Sequence, residues 1–209
     1  IKIVNNIFKI NNQPIKFKGV NRHSMTINGY VENREDLEKD LQLMKKYNVD
    51  TIRTSHYPPH PLLTKLCDIY GFYVIEEADV ESHGSCMSSG HWIKEEYCDI
   101  ATNVLFKEQI IHRQERMYQR DKNRQCVVMW SMGNECGFTF DKRDSNFMFA
   151  SDYLRKVDNR PIHFESAFAL INEYSRSLKA TDLFSCMYPG YDFCEYYEKL
   201  NLNIPYFLC

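Results

Sequence analysis

Strand-like and helix-like segments alternate along most of the chain, and this alternation limits the fold more than any other property of the sequence. Ile7 to Ile10, the turn cluster Asn11-Asn12-Gln13-Pro14 and Ile15 to Val20 read as a hairpin leading into a buried first strand. Between Asn33 and Tyr47, residues Leu37, Leu41, Leu43, Met44 and Tyr47 follow helical spacing, with Asn33 as the candidate cap. Thr51 to Thr54 reads as strand two, and Pro61 to Tyr70 as a helix with proline in its first turn and Gly71 at its end. Phe72 to Glu77 is strand three, followed by a long polar excursion from about Asp79 to Asp99 and a helix from Asn103 to Arg120. Then come strand four (Val127 to Ser131), a helix (Arg143 to Lys156), strand five (Pro161 to Glu165), strand six (Asp182 to Met187), a short helix (Phe193 to Leu200) and strand seven (Ile204 to Cys209).

Such spacing implies parallel βαβ units. No Gly-x-Gly-x-x-Gly turn follows the first strand, which argues against a dinucleotide fold and for an α/β (β/α)₈ TIM barrel. About seven of its eight strands are expected here, so the barrel is incomplete, with strands one and seven each left with an unpaired edge. We read residues 1–209 as one partial barrel domain, with 1–18 as the hairpin leading into strand one.

With 26 Lys and Arg against 28 Asp and Glu, spread along the chain, no basic stripe is available to neutralise phosphates, so no nucleic-acid partner is expected. No apolar run approaches the ~18 residues of a membrane span, and Ile1 to Asn6 reads as a strand rather than a signal peptide. The chain is expected to be cytoplasmic, or an internal piece of a longer one. Its eight cysteines form no Cys-x-x-Cys pair, so zinc-ribbon spacing is absent and free thiols in a reducing compartment are expected.

The active site of such a barrel lies at the C-terminal ends of its strands. Asn21-Arg22-His23 follows strand one, Ser55-His56-Tyr57-Pro58 strand two, Asp79, Glu81 and His83 strand three, Asn134-Glu135 strand four and Tyr188 strand six. Any one of these has a bland reading: His23 or His56 as a satisfied histidine, Glu81 and His83 as solvated loop residues, Tyr188 as packing. Their joint placement at one rim does not. A carboxylate directly after Val127 to Trp130 is costly unless hydrogen bonds, a metal or a function sustain it.

A carboxylate pair on such a rim suits glycoside hydrolysis, with Glu135 as the proton donor, kept protonated near neutral pH by partial desolvation or a nearby anion. Asn134 could bond a sugar hydroxyl, and His23 and His56 offer further donors. Glu81-x-His83 with a carboxylate from another strand makes an oxygen-rich divalent site, magnesium being favoured over zinc because no cysteine cluster takes part.

Gly19 to His23, Arg53 to Pro58, Glu77 to Gly84 and Trp130 to Gly137 together resemble, in order and spacing, the catalytic barrel of glycoside hydrolase family 2, most of all that of its large bacterial β-galactosidases. The resemblance implies that Glu135 is the general acid/base of a retaining mechanism and that Glu81, His83 and Glu135 ligate Mg²⁺. It further implies that His23, His56 and Asn134 contact the galactose, that Tyr188 lies beside the nucleophile and that Arg53 lies near it. The substrate implied is a β-galactoside such as lactose, and the full-length parent a homo-oligomer. The family's nucleophile is a glutamate in a Leu-Cys-Glu-Tyr pattern; Leu208-Cys209 is present here and that glutamate would be residue 210, so the 209 residues are expected to be inactive alone. Cys136 stands where the family pattern has serine. A β-glucuronidase or β-mannosidase of the same family, or a non-catalytic sugar-binding piece, are the alternatives; no lysine-bearing motif on the rim offers a partner for a glucuronide carboxylate.

Overall fold

The computed structural model describes residues 1–82, 87–88, 91–92, 100–136, 145–165, 180–200 and 202–209. Three short strands, β1 (Lys2–Val4), β2 (Ile7–Ile10) and β3 (Gln13–Pro14), open the chain as an antiparallel meander. β4 (Gly19–Asn21), β5 (Thr51–Arg53), β6 (Tyr73–Glu77), β9 (Val127–Ser131) and β10 (Ile162–His163) then form one parallel sheet in that order. Between them the chain makes α1 (Arg34–Lys46), α2 (Pro61–Tyr70), the antiparallel pair β7 (Met87–Ser88) and β8 (His91–Trp92), α3 (Lys107–Asp121) and α4 (Asn146–Val157). β11 (Phe184–Cys186), α5 (Tyr191–Leu200) and β12 (Tyr206–Leu208) complete it, with β11 and β12 paired in parallel.

Each strand of the large sheet lies beside the next one in the chain, without the order reversal of a doubly wound sheet. This is barrel topology, and the barrel is open. A cleft of about 850 Å³ lies between β4 and β12, lined by Gly19, Val20, Phe207 and Leu208 and floored by Phe8, Phe17 and Met129. The expected buried first strand is therefore corrected: Gly19, Val20 and Asn21 are all exposed, because β4 pairs only with β5 and forms the sheet's edge.

Helix boundaries follow local chemistry. Asn33 Oδ1 accepts from the Asp36 N–H at 3.0 Å while the Asp36 carboxylate accepts from the Asn33 N–H, a reciprocal cap on α1. Gly71 ends α2 in the left-handed region at φ 71°. Leu37 and Leu41 are buried, but Leu43 and Tyr47, expected on the same face, are exposed: Leu43 lies off the 37–41–44 stripe and Tyr47 caps the helix end.

The sheet separates two cores. Ile52, Val74, Val127 and Trp130 face the helices and pack with Leu37, Leu41, Leu63, Leu66 and Leu154. Ile75, Val128, Met129 and Leu183 face the other way and meet Phe8 and Phe17, so the opening meander covers one end of the barrel interior. At Val128 the register slips by one, pairing Ile75 with Met129. Beyond it, side chains alternate so that Glu77 and Ser131 follow Ile75 and Met129 on the inward face. The barrel interior is thus apolar below and polar above.

Leu41→Ala is expected to lower unfolding free energy by about 2–5 kcal/mol, and Leu43→Ala by no more than about 0.5 kcal/mol, in urea titrations followed by circular dichroism. Equal losses would contradict the helix orientation described.

Candidate active site

The inward polar face is organised by Arg53 at the end of β5. Its side chain, 2% exposed, donates from Nε to Glu77 Oε2 at 2.8 Å and from Nη2 to Asn134 Oδ1 at 3.0 Å, and Nη2 also lies 2.7 Å from Glu77 Oε2. Glu77, at the end of β6, is fully buried. Its Oε1 lies 2.8 Å from His56 Nδ1, its Oε2 accepts from Ser131 Oγ at 2.5 Å, and its backbone N–H donates to Thr54 Oγ1. Burial alone would raise the Glu77 carboxyl, but the His56 bond, the Arg53 charge and Ser131 outweigh it and hold the group below the usual carboxylate range.

Asn134 links this pair to the rim. Its Nδ2 donates to Glu81 Oε1 at 3.0 Å, and its backbone N–H donates to Val80 O, so the extensions of β6 and β9 form a further parallel bridge. The turn that delivers Asn134 and Glu135 requires glycine. Gly133 has φ 155°, and a Cβ there would lie 2.8 Å from the Val80 carbonyl oxygen. Glu135 follows with φ 44°, half-buried, its carbonyl accepting from Ser82 Oγ at 2.7 Å. Cys136 is buried, its thiol directed at Val80 O.

The structure gathers most of the expected site residues. His23 and His56 meet edge to face with centroids 5.1 Å apart, and partial burial followed by the charge of its neighbour His56 keeps the exposed His23 imidazole below its ordinary value. Arg53, His56, Asn134 and Glu81 are joined by hydrogen bonds; Tyr188 stands 85% exposed just past β11. His83 lies outside the described residues. Asp79, expected with them, instead turns outward to Arg113 of α3 at 2.6 Å. Glu81 and Glu135, carboxylates on adjacent strand extensions, are hard oxygen donors of the kind Mg²⁺ prefers.

A second set of polar groups was not singled out from the sequence. His163 Nδ1 lies 2.7 Å from Ser131 Oγ, and its Nε2 lies 2.8 Å from Ser185 Oγ, which is hydrogen-bonded to Glu165 Oε2. A hydrogen-bonded chain therefore runs from Glu77 through Ser131, His163 and Ser185 to Glu165, across the ends of β6, β9, β10 and β11. The available signal was periodicity: each is a polar residue at an inward position in the last two residues of its strand or just past it. Burial, then the Arg53 charge, push the His163 imidazole down to about 3, and burial pushes the Glu165 carboxyl up to about 7.

A family model described as glycosyl hydrolases family 2, TIM barrel domain, matches residues 1–206, and the chain belongs to that family. It is 37% identical to the β-galactosidase of Actinobacillus pleuropneumoniae and 38% identical to that of Staphylococcus xylosus, in each case over 100% of this chain. It spans only 23% and 21% of those two proteins. Among solved structures, a Ruminococcus gnavus β-glucuronidase bound to D-glucuronic acid superimposes with TM-score 0.78 at 22% identity, over 99% of this chain and 36% of that one. The β-D-glucuronidase of Dictyoglomus thermophilum superimposes with TM-score 0.75 at 24% identity, over 98% of this chain and 37% of that one. These likenesses show that the fold is the family's TIM barrel, here open.

His163 and Glu165 set opposing pH dependences. His163 falls from an ordinary 6.5 to about 3, so the unfolded chain binds its proton first and stability rises as pH climbs between those values. Glu165 rises from an ordinary 4.5 to about 7, so the folded chain keeps its proton longer and stability falls as pH climbs across that range. Glu165→Gln removes one opposing contribution, so between pH 4.5 and 6.5 the urea midpoint should change with pH more positively in the variant than in the unaltered chain. The same slope in the variant and the unaltered chain would contradict this.

Proposed function

We propose that this chain supplies the acid/base part of a retaining β-galactosidase. The observation that carries this reading is Glu135, presented at the end of a buried strand beside Asn134, whose amide is held between Arg53 and Glu81. The β-galactosidases among its relatives support the choice of sugar.

In the first step Glu135 protonates the oxygen of the departing group while a second carboxylate attacks the anomeric carbon; in the second, Glu135 takes a proton from the water that releases the sugar. Glu77 is ill suited to be that second carboxylate, since His56 engages one of its oxygens and Arg53 and Ser131 the other. Its part is to fix Arg53 and His56, and through Arg53 also Asn134. His23, His56, Asn134, Tyr188 and Arg53 form the sugar-facing rim. Glu81, His83 and Glu135 would hold Mg²⁺, which when bound offsets the negative charge of the adjacent carboxylates. This reading carries with it lactose as a representative substrate, a cytoplasmic site of action and a homo-oligomeric full-length protein.

A β-glucuronidase is the second reading, favoured by the solved structures of like fold. It needs a cation for the sugar carboxylate. Arg53 is committed to Glu77 and Asn134, and Arg22, 2.5 Å from Glu32 and 2.8 Å from Asp40, is committed to those two acids.

In the protein that carries this segment, Glu135→Gln is expected to slow turnover of galactosides with poor leaving groups by roughly 10²–10⁴ and to spare activated aryl galactosides far more. Equal loss across leaving groups would remove Glu135 from the acid role. Chromogenic galactoside, glucuronide and mannoside, assayed side by side, should show galactoside turned over fastest; preference for either other sugar would overturn the assignment. Residues 1–209 alone are expected not to turn over any of the three, and turnover would make Glu165 or Glu77 a nucleophile.

A further inference from the structure

His163, Glu165 and Cys209, which the mechanism above does not use, bring one donor atom each to a single point. The three atoms lie within 4.8 Å of one another, and Cys209 Sγ is 3.3 Å from His163 Nε2. Ser185 Oγ adds a fourth, 2.8 Å from Nε2, 3.5 Å from Sγ and hydrogen-bonded to Glu165 Oε2. Zn²⁺ bound by sulfur at about 2.3 Å and by nitrogen or oxygen at about 2.0–2.2 Å needs a tetrahedron with edges of about 3.4–3.6 Å. The Sγ–Nε2 and Sγ–Oγ edges are already close to that length, a small outward movement of Ser185 Oγ lengthens its edges to Nε2 and to Glu165 Oε2, and the Glu165 carboxylate, within 4.8 Å of the other two donors, closes inward on the ion.

The surroundings prepare the imidazole for ligation. Ser131 Oγ touches both the Glu77 carboxylate and His163 Nδ1. An ionised carboxylate only accepts, so the serine proton goes to Glu77 and His163 donates its Nδ1–H to the serine oxygen. The lone pair on Nε2 is thereby aimed at the cluster, an orientation that a hydrogen bond on the other ring nitrogen commonly fixes in metal-binding histidines. His163, Glu165 and Ser185 are buried, at 0%, 4% and 2% exposure, so three of the four donors are held in the interior at the strand ends, with Cys209 half-buried beside them.

We propose that His163 Nε2, Cys209 Sγ and one Glu165 oxygen form a binding site for a soft divalent cation, Zn²⁺ foremost, with the Ser185 hydroxyl as a weak fourth ligand. A thiolate and an imidazole select zinc over magnesium, which sets this site apart from the oxygen donors Glu81 and Glu135. Binding displaces the Cys209 thiol proton to solvent and leaves a sulfur–metal bond, with no change in oxidation state. The site does not depend on the assignment of the sugar.

Co²⁺ titration of the chain tests it directly. The expected result is a near-ultraviolet sulfur-to-cobalt charge-transfer band with visible bands of tetrahedral intensity, both bleached by Zn²⁺. Cys209→Ser should abolish the charge-transfer band, and His163→Gln should weaken binding roughly tenfold or more with unchanged far-ultraviolet circular dichroism. Cys194→Ser, at a thiol outside the cluster, should change nothing. In the unaltered chain, Zn²⁺ should protect Cys209 from alkylation, read by peptide mass, which gives an answer even if a variant fails to fold. A missing band, a band that survives Cys209→Ser or follows Cys194→Ser, or alkylation of Cys209 at the same rate with and without Zn²⁺ would overturn the proposal.

Discussion

The Arg53–Glu77 pair is the interaction on which the rest of the site depends. Two opposite charges with almost no exposure are tolerated only when geometry and additional hydrogen bonds replace the lost water, and here Asn134, His56, Ser131 and Thr54 provide them. Removing either partner would leave a buried charge uncompensated, a cost of about 3–5 kcal/mol. The pair is retained at that risk because it orients side chains from β5, β6 and β9 in one network. A well-packed apolar pair could match its stability but could not orient an amide and an imidazole at the rim.

The position of that network follows from strand periodicity. Ile75 and Met129 fill the lower interior, and two residues further on the same inward direction delivers Glu77 and Ser131. Apolar and polar layers of the barrel are therefore consecutive turns of one alternation. The opening meander matters for the same reason: Phe8 and Phe17 cover the apolar layer from below and leave the polar layer facing the rim.

Much of this was legible in the sequence. Strands five residues long and nearly all apolar, such as Val127–Ser131, declare themselves, as do helices with Asn33 and Gly71 at their ends. The rim motifs were legible because each follows a strand. The inner chain Glu77–Ser131–His163–Ser185–Glu165 was not, since its members are scattered over more than 80 residues and only the closed geometry of neighbouring strands makes them adjacent. The exposure of β4 was missed for a related reason: an apolar alternation reports which residues can be buried, and pairing decides which of them are.

Gly133 determines where Glu135 can be. With the Val80 carbonyl so near its Cα, the backbone is clamped between the extensions of β6 and β9 before Glu135 is reached. The backbone position of Glu135 is thus inherited from two strands. A side chain at 133 would drive the extension of β9 away from that of β6 and carry Glu135 with it, so the placement of one carboxylate is decided by the absence of one methyl group two residues before it.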